Sequence, residues 1–402
     1  MTSRERIRLS LNHQEPDMVP IDFGAMRSTG INAVAYNELK RYLGIGYGET
    51  RVYDIFQQLA EPEACIADLF GADVVQLHRY EPAFGINISR WKDGKLNDGS
   101  SCLVPEGYTP VENEKGEKEI RTGSTVIARM PAAGLYYDLV YHPYADAKTM
   151  QDVDSVPLAS ITDTELDFLK VNAEKLHKTT DKAVLASFGG NILEAAQADW
   201  GYETSFINMA ADPELMHYYF DRITQQYIED LGKYLGAVAP YIDIIQMGDD
   251  LGTQESLQIS VKMYRDLIKP YHTRIYRYVR DNYPGIKVFL HSCGAVSELI
   301  GDLIEAGIDI LNPVQLSAKG MDPVNLKKNY GKHITFWGGG VDTQTTLTNG
   351  SIGDIKREVK EMMEIFSPGG GYVFTQVHNI QPNISPEKIT AVYKTAQKYR
   401  NY

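Results

Sequence analysis

The sequence contains little cysteine, no long apolar run and no excess of positive charge. Three cysteines among 402 residues, Cys65, Cys102 and Cys293, do not make a disulfide framework, which indicates a reducing compartment. No apolar run approaches the roughly 20 residues needed to span a bilayer. The polar first residues also lack the apolar core of a signal peptide. We therefore expect a cytoplasmic protein with no membrane partner.

The charge balance excludes a further class of partner. Asp and Glu together number 53 and Lys and Arg 40, which gives a formal net charge of -13. Nucleic acids and anionic membranes both select a basic face, so neither is expected to bind this chain. The hydrophobic fraction of 43% and the charged fraction of 23% are typical of an ordinary globular protein.

Short apolar runs, each followed by a glycine-rich or polar corner, recur along the chain and alternate with helical patterns. The runs are 19–23, 73–77, 183–188, 242–247, 286–290, 308–311, 334–337 and 372–375. The helical patterns include 62–70, 261–280, 297–305, 352–366 and 386–398. Strands that alternate with helices indicate parallel βα units, and eight of them predict a (β/α)₈ barrel, a TIM barrel that spans 1–402 as one domain. An open doubly wound sheet is the alternative that strand counting does not exclude.

Residues about 84–145 interrupt this rhythm. They contain turn signals such as Asp93-Gly94, Asp98-Gly99 and Lys115-Gly116 between short alternating runs. We expect a β-rich hairpin insertion on the barrel.

The tripeptide His291-Ser292-Cys293 follows one of the predicted strands directly. Residues i and i+2 of a strand point to the same side, so the imidazole and the thiol are expected to lie together at the strand's C-terminal end. Together they supply half of a zinc site. A core histidine beside an inert cysteine is the alternative for an isolated pair.

The third ligand is expected from another strand end. His378, just after the last predicted strand, is the best candidate, and His78, after the second, is the alternative. Two imidazoles and one thiolate leave one coordination position open, which is the pattern of catalytic zinc.

Other polar residues gather at the same strand ends, where βα barrels carry their functional groups. For catalysis the candidates are Arg27, Asp249 and Asp250. For substrate binding they are His78, Asn191, Asn312, Gln315 and Gln344. Asp249, Asp250 and Asp342 have an alternative role as helix caps.

Six segments resemble the uroporphyrinogen decarboxylase superfamily, whose fold is a (β/α)₈ barrel. They are QEPDMVP (14–20), FLHSCGAVS (289–297), DILNPVQ (309–315), FWGGGVD (336–342), GGGYVF (369–374) and VHNI (377–380). The decarboxylase branch acts without a metal and carries an Arg-Gln-Ala-Gly-Arg-like motif after the first strand. Here that corner contains Arg27 but lacks the second arginine.

The other branch comprises corrinoid-dependent methyltransferases, whose zinc motif is His-x-Cys plus a later cysteine. His291 and Cys293 match this motif, and His378 stands in place of the later cysteine. The resemblance implies zinc held by His291, Cys293 and His378, together with a corrinoid carried by a partner protein.

We therefore predict a zinc-dependent methyltransferase acting on a small methylated substrate, such as an aryl methyl ether. A metal-free decarboxylase, in which Arg27 binds a carboxylate, is the first alternative. A non-enzymatic barrel that binds a corrinoid or an assembly partner is the second.

Overall fold

One parallel sheet of seven strands forms the centre of the computed structural model, which describes residues 1–402. The strands of the chain are β1 (Ile31–Asn32), β2 (Val52–Asp54), β3 (Leu59–Ala60), β4 (Val74–Leu77), β5 (Trp91–Lys95), β6 (Ser101–Pro105), β7 (Val111–Glu112), β8 (Lys118–Thr122), β9 (Thr125–Met130), β10 (Asp138–Leu139), β11 (Ala183–Gly189), β12 (Ile244–Gly248), β13 (Lys287–His291), β14 (Ile310–Asn312), β15 (Thr335–Trp337) and β16 (Tyr372–Val373). The order across the parallel sheet is β4-β11-β12-β13-β14-β15-β16, which is also the order along the chain.

The first of the eight predicted strands, 19–23, is reduced to bridges at one residue, yet it closes the sheet. Ile21 forms a parallel bridge to Ala72, just before β4, and another to Phe374, just after β16. Pro20 has no amide hydrogen, which limits the pairing of this segment. Its carbonyl still accepts the amide of Phe374 at 2.9 Å. The predicted (β/α)₈ barrel is thereby confirmed, and the open sheet is excluded.

Helices surround the barrel and follow most of its strands. They are α1 (Ser3–Leu11), α2 (Ala33–Tyr42), α3 (Ala64–Leu69), α4 (Met150–Ser155), α5 (Asp163–Thr179), α6 (Leu193–Trp200), α7 (Tyr202–Ala211), α8 (Pro213–Val238), α9 (Val261–Met263), α10 (Lys269–Asn282), α11 (Ile300–Ala306), α12 (Pro323–Tyr330), α13 (Thr346–Asn349), α14 (Ile352–Phe366) and α15 (Pro386–Tyr399). No helix combines the length and the apolar character needed to cross a membrane.

The helix predicted over 261–280 contains a π-helical turn, Tyr264–Ile268, between α9 and α10. Pro270 lies in the first turn of α10 and cannot donate a backbone hydrogen bond. The amide of Lys269 instead reaches back to the carbonyl of Tyr264, five residues earlier.

Side chains alternate between the barrel interior and the helical layer, and this alternation positions the site. In β13, Phe289 belongs to the interior cluster, whereas Val288 and Leu290 pack in the outer core. His291 is two residues after Phe289 and therefore points to the interior as well. Ile7 and Leu11 of α1 join the interior cluster at the opposite end of the strands.

The insertion consists of hairpins, as predicted. β5 pairs with β6, and β7 to β10 form a separate antiparallel sheet.

Asp73, before β4, ties the two ends of the chain to the barrel. It is 2% exposed and pairs with Arg6 of α1 and Arg400 near the C-terminus. It also accepts the amide of Ile21 at 2.9 Å.

Asp73→Ala leaves two guanidinium groups without their buried partner, so we expect the free energy of unfolding, measured by urea titration, to fall by about 3–5 kcal/mol. Asp266→Ala, which breaks an exposed helical pair with Lys262, is the control and should change it by under about 0.5 kcal/mol. Equal effects of the two variants would refute the clamping role of Asp73.

Candidate active site

Three side chains from two strand ends meet at the mouth of the barrel. His291 and Cys293 follow β13 and His378 follows β16, and one ligand atom from each lies within 4.8 Å of the others. The Sγ atom of Cys293 is 3.4 Å from Nε2 of His291. Two ligands of one tetrahedral zinc, with Zn–S about 2.3 Å and Zn–N about 2.0 Å, are about 3.5 Å apart. The donor set therefore fits zinc in chemical type and in spacing.

Each imidazole is oriented by an asparagine. Nδ1 of His291 lies 2.6 Å from Oδ1 of Asn312, and Nδ1 of His378 lies 3.0 Å from Oδ1 of Asn379. An amide oxygen only accepts, so each Nδ1 carries the proton and each Nε2 keeps its lone pair for a metal.

Burial and neighbouring charges shift the pKa values of His378 and Cys293 in opposite directions. Burial and the neighbouring His291 lower the pKa of His378 to about 4, so its ring is neutral at physiological pH. Burial, with Asp250 and Glu194 nearby, raises the pKa of Cys293 well above its usual range. A bound divalent cation reverses this effect, because it stabilises the thiolate directly.

Asp250 and Glu194 lie beside the three ligands. Oδ1 of Asp250 accepts the amide of Cys293 at 2.8 Å and is 3.6 Å from Nε2 of His291. Oε2 of Glu194 accepts the amide of Asp250 at 3.0 Å and Nδ2 of Asn191 at 2.6 Å. Burial, together with Asp250 and Asp249, raises the pKa of Glu194 above its usual value. Glu194 was not among the predicted site residues, although its place shortly after β11 was a signal for it.

Asp249 has a different place from the one predicted. It is fully buried, and its carboxylate accepts the amides of Leu193 and Glu194 at 2.9 and 2.8 Å. It also contacts Nε2 of His272 at 2.9 Å. The carboxylate of Asp249 therefore caps the start of α6. This position corresponds to the alternative prediction, a helix cap, and does not fit the predicted catalytic role.

A cavity of about 470 Å³ opens beside the metal-ligand cluster, within the range of small-molecule sites of roughly 300–1,000 Å³. Of the predicted residues, those that line it are Arg27, His78, Asn191, Asp250, His291 and His378. A larger groove of about 890 Å³ runs along the outer side of β4 and contains none of the three ligands. The smaller cavity is therefore the candidate active site.

Three predicted substrate-binding residues lie outside this cavity. Asn312 is fully buried; its Oδ1 accepts the hydroxyl of Ser28, and its Nδ2 donates to the carbonyl of Trp337. These bonds fix the amide whose Oδ1 also contacts His291, so Asn312 holds His291 in place. Gln315 accepts the amide of Gly294 at 2.8 Å and supports the turn after Cys293. Gln344 is exposed, beyond β15. Their expected contact with substrate does not fit these positions.

His78 lines the cavity but does not join the metal-ligand cluster. Its Nε2 faces Glu61 at 3.7 Å, and its ring packs against that of Tyr53 at a tilt of 46°, with centroids 4.3 Å apart. The alternative in which His78 is the third ligand is not supported by this geometry.

Both arginines of the cavity wall are already paired. Arg27 bonds to the buried carboxylate of Asp54, and Arg79 bonds to Glu165. Acidic residues that also line the cavity are Asp54, Glu81, Glu194 and Asp250. The cavity therefore offers little uncompensated positive charge to an anionic ligand.

Part of the wall comes from a segment that the sequence did not single out. Tyr53, Phe56 and Gln57, at β2 and just after it, line the cavity together with Gln76 of β4. These residues carry no motif, and only the packing of their segment over the barrel mouth brings them there.

The sequence profile of uroporphyrinogen decarboxylase matches residues 124–399, more than half of the chain. The chain belongs to the uroporphyrinogen decarboxylase family. It thus falls in a family of enzymes. Uroporphyrinogen decarboxylase of Thioalkalivibrio sulfidiphilus (strain HL-EbGR7) is 23% identical over 346 residues, which cover 80% of this chain and 91% of that protein.

The solved structures that match this chain are less identical to it in sequence than the decarboxylase of Thioalkalivibrio sulfidiphilus is. The endo-1,4-beta-xylanase XylE of Penicillium canescens is 11% identical, with a TM-score of 0.36 over 59% of this chain and 80% of that one. Xylanase 10B of Thermotoga maritima is 11% identical, with a TM-score of 0.34 over 64% and 82%. Because these TM-scores are low, the assignment of the barrel rests on the strand order of the sheet and on its closure at Ile21.

Proposed function

We propose that this protein is a zinc-dependent methyltransferase that moves a methyl group between a small methylated substrate and the corrinoid of a partner protein. The observation that carries the proposal is the meeting of His291, Cys293 and His378 within 4.8 Å beside a cavity of small-molecule size. Three protein ligands with one open position are the pattern of catalytic zinc. An aryl methyl ether is the leading substrate.

The three ligands would hold the metal through Nε2 of each histidine and Sγ of Cys293. Bound zinc would supply Lewis-acid polarisation of the substrate's leaving heteroatom, and the partner's corrinoid would be the acceptor of the methyl group. A set with one thiolate withdraws more electron density from an ether oxygen than a set with two thiolates would, because it carries less negative charge.

The carboxylates beside the ligands have separable roles in this proposal. Glu194 lines the cavity and accepts the amide of Asp250, so in this proposal it is the group that would pass a proton to the oxygen from which the methyl group departs. Asp250 fixes the backbone of Cys293 and faces His291, and it thereby positions both ligands.

The electrostatics of the cavity favour a small substrate with little charge. Arg27 and Arg79 are neutralised by Asp54 and Glu165. The many carboxylates of a uroporphyrinogen would lose their hydration here and meet too few free cations. A neutral aryl ether meets neither penalty.

A metal-free decarboxylase is the second candidate, and the similarity to the Thioalkalivibrio sulfidiphilus decarboxylase favours it. In that function Arg27, 44% exposed at the cavity wall, would bind a substrate carboxylate. An acidic residue of the cavity would stabilise the protonated pyrrole.

One pair of assays separates the two functions. We expect the purified protein to transfer methyl groups from methoxybenzenes to cob(I)alamin, followed by the absorbance change to methylcobalamin, and to lose this activity after chelator treatment. We expect no carbon dioxide from uroporphyrinogen. Carbon dioxide released at enzymatic rates after chelation would overturn the methyltransferase and establish the decarboxylase.

A further inference from the structure

Hydrogen bonds from several parts of the chain converge on the side chain of Asn379, which is 1% exposed. Its Oδ1 atom lies 3.0 Å from Nδ1 of His378, and it accepts the hydroxyl of Tyr136 at 3.2 Å and Nε2 of Gln381 at 2.5 Å. Its Nδ2 atom donates to Oε1 of Gln57 at 2.7 Å. Among these partners only His378 belongs to the metal-ligand cluster. The side-chain amide of Asn379 therefore connects that cluster to groups outside it.

Two of these partners come from segments that the fold brings over the barrel mouth. Tyr136 belongs to the β-rich insertion, and Gln57 follows β2. The two segments are joined at the neighbouring residues, because the amide of Tyr137 donates to the carbonyl of Phe56 at 3.0 Å. The ring of Phe84 packs against those of Phe56 and Tyr137, with centroids 5.5 Å apart in each pair. Tyr136 and Gln57 are thus held in place by contacts that involve none of the three metal ligands.

A metal-bound imidazole needs the oxygen of Asn379, and not its nitrogen, beside it. When Nε2 of His378 binds a metal, Nδ1 carries the proton and requires an acceptor. The hydroxyl of Tyr136 and the NH2 group of Gln381 donate to that same oxygen. If the amide of Asn379 turned over, its NH2 group would face the NH2 group of Gln381 as that side chain is now oriented, and the hydroxyl of Tyr136 would lose its acceptor. These donors therefore favour the orientation that His378 requires.

We propose that Tyr136 is a positioning residue for His378, and that the insertion is thereby part of the metal centre. Tyr136 holds the side-chain amide of Asn379 with its oxygen toward His378, which keeps the proton on Nδ1 and leaves Nε2 free to bind the metal. The metal rests on the proposed function, whereas the coupling of Tyr136 to His378 rests on the hydrogen bonds. The insertion at 84–145, which interrupts the barrel pattern, then has a function in metal binding.

The first test measures the affinity of full-length variants for zinc by competition with a chromogenic chelator. Tyr136→Phe removes the hydroxyl group and keeps the ring, so we expect zinc affinity to fall about tenfold, the lower end of the effect of losing an outer partner. Tyr137→Phe is the matched control, because its hydroxyl group pairs with that of Tyr108 at 2.8 Å within the same insertion and does not contact Asn379. It should keep the wild-type affinity. If folded Tyr136→Phe binds zinc as tightly as Tyr137→Phe does, the positioning role is refuted.

A double-mutant cycle separates positioning through Asn379 from a general weakening of the insertion. Asn379→Leu removes the hydrogen bonds of the side-chain amide at similar size, and it should lower zinc affinity by about 10–100-fold. Because Tyr136 acts through Asn379 in this proposal, Tyr136→Phe should have no further effect in the Asn379→Leu background. Additive losses would refute this route. If Asn379→Leu does not fold, the comparison of Tyr136→Phe with Tyr137→Phe decides.

A metal-free measurement makes the two proposals fail in different ways. Heteronuclear NMR of chelator-treated protein, labelled at its histidine rings, reports which nitrogen of His378 carries the proton. We expect Nδ1–H in the wild-type protein and in Tyr137→Phe, and a mixture of both tautomers in Tyr136→Phe. No zinc binding together with this difference would refute the methyltransferase and support the positioning role. Equal zinc affinity in all three proteins would support the zinc site and refute the positioning role. Neither zinc binding nor a tautomer difference would refute both.

Discussion

Cys293→Ala is expected to remove nearly all zinc from the purified protein and to abolish methyl transfer. Cys293 supplies the only thiol of the three ligands and therefore the only ligand that becomes an anion, because the other two are imidazoles. Loss of an outer partner already weakens metal sites by about 10–100-fold, so loss of the thiolate should lower zinc affinity by more than about 100-fold. Metal analysis by mass spectrometry and a competition titration with a chromogenic chelator measure the two effects.

Cys65→Ala and Cys102→Ala are the matched controls, because both thiols are free and lie outside the cluster. Each should keep about one zinc per chain, as the wild-type protein should. Background zinc in carefully prepared wild-type protein, or full zinc in Cys293→Ala, would overturn the assignment of the ligands.

His378 is expected to give opposite results with alanine and with cysteine. His378→Ala removes one of the two imidazoles and should weaken zinc binding by more than about 100-fold. His378→Cys should keep zinc but slow methyl transfer from an ether, because a second thiolate makes the metal a weaker Lewis acid. Zinc content and kcat, measured on the same preparations, separate binding from chemistry.

His78→Ala is the control for this pair, because His78 lines the same cavity without joining the cluster. It should retain full zinc. If both His378 variants retained full zinc and full activity, His378 would not be a ligand. Loss of zinc in His78→Ala would instead restore His78 as the alternative third ligand.

The sequence allowed much of the barrel to be predicted because its periodic pattern is local. Each apolar run is followed by a corner and a helical stretch, and the predicted helix over 352–366 coincides with α14. The strand at 19–23 was the least accurate prediction, since the closure at Ile21 depends on partners 51 and 353 residues away, at Ala72 and Phe374.

The ligand pair at His291 and Cys293 was also predictable, because residues i and i+2 of a strand share a face whatever surrounds them. His378 was predicted from its place after the last strand and from the family motif, in which it stands in place of the later cysteine. The roles of Asp249, Asn312, Gln315 and Gln344 were not predictable in this way. A polar residue at a strand end can face the cavity or hold a neighbouring loop, and the sequence pattern is the same for both.

The sequence by itself therefore determined the order of strands and helices and the position of the His-x-Cys pair, since both follow from backbone periodicity over a few residues. Only the tertiary structure decided which strand-end groups meet. It brought His378 to His291, buried Asp249 under α6, and joined Tyr136 of the insertion to Asn379. Those contacts join residues far apart in the chain, and they are fixed by barrel closure and by packing of the 50–60 segment over its mouth.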